Sequence, residues 1–162
     1  MTLTLRDSIT RLSDPRNLDA SVEEVFGMML GWECRRTEAV CQAHEADSLT
    51  AMVGFGGVLS GACIVRVAAG AALKIAGRMM GAEPTEVDDT VQDGIGELCN
   101  MLAGSWKGRV PELASNCGLS VPAVITGHNY SLHLQVPKFQ LTHNYFVEDV
   151  SFEVTIVCDG LK

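Results

Sequence analysis

The sequence predicts an α/β protein of the α+β kind, a two- to three-layer sandwich in which a mainly antiparallel sheet is packed by long helices. Three observations carry this expectation. The order of predicted elements is helix, strands, two helices, strands, which lacks the alternating βαβ rhythm of a doubly wound sheet. Residues Leu49–Phe55 and Val58–Val67, rich in Val, Ile and small apolar side chains and joined by Gly56-Gly57, read as an antiparallel hairpin. Near the C-terminus Val150, Phe152, Val154 and Ile156 alternate with Ser151, Glu153 and Thr155, the two-residue period of a half-buried strand.

Taken in order, residues 1–17 read as a polar lead-in closed by the turn-prone pair Asp14-Pro15, with one domain over 18–162. Asp19 or Ser21 caps a helix running to Leu30, with Val22, Val25, Phe26 and Met29 on one face. From Thr37 to His44 the pattern is short and ambiguous, compatible with an edge strand. Ala68–Met80 is alanine-rich and ends at Gly81, a helix with Met79-Met80 as core filling. After the long helix described below, Pro111 restarts the chain, Leu119–Thr126 is extended around Pro122, and Gly127-His128-Asn129 turns. Strands over Tyr130–Val136, Phe139–Phe146 and Val150–Val157 complete the expected set.

Composition narrows the function. With 162 residues and 47% apolar content, the chain is long enough for one sizeable core and short for two. A formal charge of −8 and a pI near 4.9 argue against nucleic acid or an anionic membrane as partner. No signal-like apolar region opens the sequence and no run is long enough for a membrane span, so a cytoplasmic protein is expected. The six cysteines form no Cys-x-x-Cys, and most sit among apolar neighbours, as reduced core residues do. The four histidines show no helical pair and none adjoins a cysteine, so no metal site is expected.

The most informative stretch is Val87–Lys107. Val87, Val91, Ile95, Leu98 and Leu102 recur at helical steps and gather into one apolar stripe. Asp93, Glu97, Asn100 and Gly104 fall on the opposite side, with Glu97 and Asn100 one turn apart and able to address one point in solvent. Gly94, Gly96 and Gly104 each cost about 1 kcal/mol against alanine inside a helix, which points to a packing or docking reason for them. A bare Glu-x-x-Asn is also what an ordinary solvated helix face carries, and spacing by itself defines no site.

Asp93, Glu97 and Asn100, with Pro122 twenty-two positions after the Asn, together form a pattern that resembles the CheC, CheX and FliY chemotaxis phosphatases, most closely the single-site CheX-like branch. The surrounding ALKIAGRMMG and GIGELCNMLAG are similar too, and the resemblance spans Ala20 to the end. The first helix has Glu23 and Glu24 but no Asn three residues later, so one site per chain is expected. The resemblance implies a CheC/CheX-like fold and a cytoplasmic homodimer of two-component signalling that hydrolyses the aspartyl phosphate of a CheY-like response regulator. Asn100 would then orient the attacking water, Glu97 would pair with the regulator's lysine, and Asp93 and Gly104 would border the contact. Pro122 would stiffen a neighbouring loop. The chain would bind no cofactor of its own, Mg²⁺ coming with the regulator. The competing expectation is the same fold docking a receiver domain or a flagellar switch component without hydrolysis.

Overall fold

The computed structural model describes residues 10–39, 41, 47–135, 137 and 139–161, with the backbone alone at 160 and 161. Its elements are α1 (Pro15–Leu30), β1 (Arg35–Thr37), β2 (Asp47–Gly57), β3 (Leu59–Ala68), α2 (Ala69–Met80), α3 (Asp89–Gly108), α4 (Pro111–Ala114), β4 (Cys117–Leu119), β5 (Ala123–His128), β6 (Phe139–Val147) and β7 (Val150–Leu161). The seven strands form one antiparallel sheet in the order β1-β6-β7-β3-β2-β4, with β5 also paired to β2.

Period-two alternation decides which face carries the core. Leu49, Ala51, Val53 and Phe55 of β2, Cys63, Val65 and Val67 of β3, and Phe152, Val154 and Ile156 of β7 are buried together with the apolar stripes of the helices. Phe26 of α1 stacks on Phe152 with centroids 4.5 Å apart, and Phe55 meets Trp106 of α3 at 5.2 Å. Each such buried side chain contributes about 1.5–3 kcal/mol by leaving water. The opposite face is more polar. By register Thr50, Arg66, Glu153 and Asn144 lie side by side across it. The irregular strip after Asn129 covers part of this row, with Arg66 donating to the Tyr130 carbonyl at 2.8 Å and its guanidinium 4.7 Å above the Tyr130 ring.

Several expectations are corrected here. Helix α1 starts at Pro15, capped by Asp14, whose carboxylate accepts from the Arg16 amide at 3.0 Å; it does not start at Asp19 or Ser21. Leu12 is already part of the core. Asp19 instead sits inside the helix and reaches the sheet, accepting from Tyr145 Oη at 2.8 Å, bonding His143 Nδ1 at 3.0 Å and pairing with Arg36 at 3.2 Å. Arg36 also contacts His143 Nε2 at 3.3 Å. Because a guanidinium only donates, that contact makes Nε2 the acceptor and leaves the Nδ1 proton for Asp19. Burial first and the Asp19 carboxylate second push the Tyr145 hydroxyl far above its ordinary range. This polar cluster pins α1 to β1 and β6.

Residues 130–135 do not form the expected strand, because Tyr130 and its neighbours lie across the sheet rather than beside it. The edge strand near Thr37 is confined to Arg35–Thr37, and 40 and 42–44 of the expected span lie outside the described residues. Met80 is 41% exposed and fills no core. Helix α2 does end at Gly81, which takes the left-handed conformation (φ 66°) that glycine adopts without strain. Val58 is the tip of the β2–β3 hairpin, and Gly56 and Gly57 belong to β2, where they pair with β4.

The close approach of α3 to the segment after β4 is set by Gly96. A Cβ built there would lie 3.3 Å from Pro122 Cβ and 3.3 Å from Val124 Cγ2. Gly96→Val is therefore expected to lower the unfolding free energy by about 1–3 kcal/mol in urea titrations, and an unchanged midpoint would contradict this packing. Cys34 is the one half-exposed thiol among the described residues, and burial pushes it up to about 12. At pH 8 it should react with a thiol reagent at least about a hundredfold more slowly than free cysteine. Rapid labelling of one thiol per native chain would show that environment to be wrong.

Candidate active site on the exposed ridge of α3

Helix α3 begins where the Asp88 carboxylate accepts from the Val91 amide at 3.0 Å, with Asp89 in the first turn, where the helix dipole favours negative charge. Val91, Ile95, Leu98, Leu102 and Trp106 are wholly buried and fix the roll of the helix on the sheet. Val87, the first member of the predicted stripe, is half-buried ahead of the helix. Cys99 is also fully buried, its thiol donating to the Cys63 carbonyl at 3.4 Å and the Ala51 carbonyl at 3.6 Å. The hydrogen bond from Cys99, with burial second, raises the Cys63 thiol well above its ordinary value. The residue directly before Asn100 is thus anchored to the sheet.

With that roll fixed, Asp93 and Glu97 are exposed and Asn100 and Gly104 half-buried. All four lie on the outward side, as the helical wheel predicted. Among the described residues no hydrogen bond or ion pair engages the side chains of Asp93, Glu97 or Asn100. A carboxylate and a carboxamide one turn apart are therefore left with their full bonding capacity for something outside the chain. Glu97 accepts only; Asn100 offers one acceptor and two donors.

Both flanks of the ridge are packed against neighbouring elements. On one side Pro122 packs at Gly96, one turn before Asn100, and Leu119 Cδ1 lies 3.9 Å from a Cβ built at Gly104. Pro122 occupies the break between β4 and β5 and is half-buried. On the other side α1 lies antiparallel to α3. Arg109 donates to the Ala20 carbonyl at 3.3 Å and pairs with Glu24, and Ser105 Oγ donates to Glu24 at 3.2 Å. On the α2 side, a Cβ at Gly94 would meet Ala76 at 3.5 Å. Two of the three helix glycines thus serve close helix packing, which the sequence signalled only as an unexplained cost. Gly104 is in ordinary contact range, so its space is not fully taken. No group of three or more His, Cys, Asp or Glu positioned to hold a metal ion occurs among the described residues.

Sequence reasoning missed the ridge's apolar neighbours. Met101 is half-buried beside Glu97, Met28 of α1 is exposed, and Val121 stands exposed next to Pro122. Their exposure depends on how α1 and the β4–β5 segment pack, which no local pattern records.

Comparison with known proteins places this geometry in a family. Residues 49–144 match the family model described as chemotaxis phosphatase CheX. The CheY-P phosphatase CheX of Thermotoga maritima is 29% identical over 118 residues, 71% of this chain and 76% of that protein. Chemotaxis protein CheX from Vibrio vulnificus superposes with a TM-score of 0.75 at 20% identity, covering 88% of this chain and 94% of that one. The CheX in a CheX-CheY-BeF3-Mg²⁺ complex from Borrelia burgdorferi does so with a TM-score of 0.74 at 20% identity, covering 90% and 98%. At that identity the two structures speak for the fold. The family match extends over more than half the residues and includes Asp93, Glu97, Asn100, Gly104 and Pro122. This chain belongs to the chemotaxis phosphatase CheX family.

Proposed function

We propose that this chain hydrolyses the aspartyl phosphate of a CheY-like receiver domain, with the α3 ridge inserted over the receiver's phosphoryl pocket. The observation that carries the reading is the pairing of Glu97 and Asn100 on one outward ridge, with no hydrogen bond or ion pair to either side chain from a described residue. In the reaction a water oxygen attacks phosphorus in line with the aspartyl oxygen. The P–O bond to the aspartate breaks, its electrons return to the carboxylate, and inorganic phosphate carries away the water's oxygen. Asn100 is suited to hold that water, since its amide oxygen accepts from it while the NH2 bonds the phosphoryl oxygens or nearby backbone. An amide of this kind positions the water and is not asked to move a proton.

Glu97 supplies a negative charge for the receiver's lysine and holds the helix in register. Asp93, one turn earlier and exposed, borders the contact. Gly104 keeps the ridge low one turn beyond Asn100. Mg²⁺ travels with the receiver and neutralises the developing phosphoryl charge there. The support for this assignment is the family membership, the CheX-CheY complex that the Borrelia burgdorferi fold represents, and a ridge that supplies alignment more than reactive groups.

The chain is further proposed to act as a cytoplasmic homodimer joined at a sheet edge. Of the two C-terminal strands, β7 is excluded, because from Phe152 to Cys158 it lies between β6 and β3 with both sides paired. The β6 strand remains. β1 pairs only with Asn144–Phe146, so Phe139–His143 has an open edge among the described residues. Light scattering at micromolar concentration should give twice the 17.4 kDa chain mass, and a monomer would remove this element alone.

Acyl-phosphate decay, followed on phosphorylated receivers from the same genome, tests the activity. Wild type should accelerate decay of its cognate receiver, Asn100→Ala should lower kcat about a hundredfold, and Glu97→Ala should lower kcat/KM by a comparable factor. Both variants should keep the wild-type unfolding free energy within about 0.5 kcal/mol, since neither side chain is engaged within the fold. Binding without acceleration on every receiver would instead identify a docking module of the same fold.

A further inference from the structure

We infer that the receiver is gripped by two apolar shoulders on either side of the Glu97–Asn100 ridge, Met28 with Met101 on one and Val121 on the other. This rests on the reading above and specifies the surface that the same partner must cover. A stable protein contact occupies about 800 Å² on each side, far more than one helix ridge offers. Any partner seated on Glu97 and Asn100 therefore also rests on what flanks them. A charged centre gives orientation and little net affinity, because its groups must be desolvated. The affinity has to come from apolar side chains at its margins.

The chain displays such side chains there. Val121 is 87% exposed and is bonded to Pro122, which packs on α3 one turn before Asn100. Met28 is 79% exposed. Its position follows from the antiparallel crossing of α1 and α3. Ala20 and Glu24 meet Arg109, and Glu24 meets Ser105. One turn further along, Met28 falls beside Met101, the residue after Asn100 and one turn past Glu97. Nothing lies within 4 Å of a Cβ built at Gly27, so bare helix backbone adjoins Met28 and a partner can come close. Methionine adapts its shape to the surface it meets, which suits a contact that must form and release with each turnover. Ile125, also exposed, points to the opposite face of the sheet, since its β2 partner is Thr50, and lies outside this footprint.

Steady-state dephosphorylation of the cognate receiver by wild type, Met28→Ser, Val121→Ser, the double variant and Ile125→Ser tests the assignment. Each shoulder substitution should raise KM about tenfold and the pair about a hundredfold, with kcat at saturating receiver within twofold of wild type. Ile125→Ser should change neither constant. If wild type is active and both shoulder variants keep its KM within twofold, the shoulders are not part of the contact, and the phosphatase reading survives. If wild type accelerates no receiver, the phosphatase reading fails first, and this inference falls with it.

Discussion

Burial of one stripe of α3 against the sheet is the constraint from which the rest of the molecule follows. Val91, Ile95, Leu98, Leu102 and Trp106 cannot leave the core without exposing several kcal/mol of apolar surface. A helix held along one side has a fixed roll, so Asp93, Glu97 and Asn100 are turned outward by the same packing that stabilises the protein. Cys99 adds a second restraint from inside, its thiol bonded to carbonyls of β2 and β3. The ridge is thus held from the core side, the restraint that the proposed positioning of water by Asn100 requires.

Glycine sets how closely the neighbours approach. Gly96 lets Pro122 and Val124 press on α3, and Gly94 lets α2 do the same from the other side. Pro122 packs against the helix that carries the proposed site and braces it there. On the proposed reading, the chain brings alignment to a reaction whose phosphoryl group, metal and lysine all come from the partner. The acidic balance of −8 suits a contact in which Glu97 meets a lysine.

Much of this was legible in the sequence where local periodicity and burial agree. The roll of α3, the β2–β3 hairpin, the stop at Gly81 and the alternation of β7 were of this kind, because each is set by a short run of residues. The misreadings arose where tertiary contacts outweigh local signals. Asp19 resembles a helix cap by type, yet it serves Arg36 of the edge strand and His143 and Tyr145 more than 120 residues away, and the cap is Asp14. Tyr130–Gln135 carries a strand-like composition but lies over the polar face of the sheet, held through Arg66. The exposure of Met28 and Val121 depends on how three separate segments pack, and no pattern within any one of them encodes it.

On the proposed reading Glu97 enters the receiver's phosphoryl pocket beside its lysine, with Asn100 aimed at phosphorus. A double-mutant cycle tests it most directly, combining Glu97→Gln in this chain with replacement of the active-site lysine by methionine in the receiver, read as kcat/KM for dephosphorylation. Strong coupling is expected, with the two losses together falling at least about tenfold short of the product of the separate losses. Losses that simply multiply would place Glu97 away from the lysine and contradict its entry into that pocket.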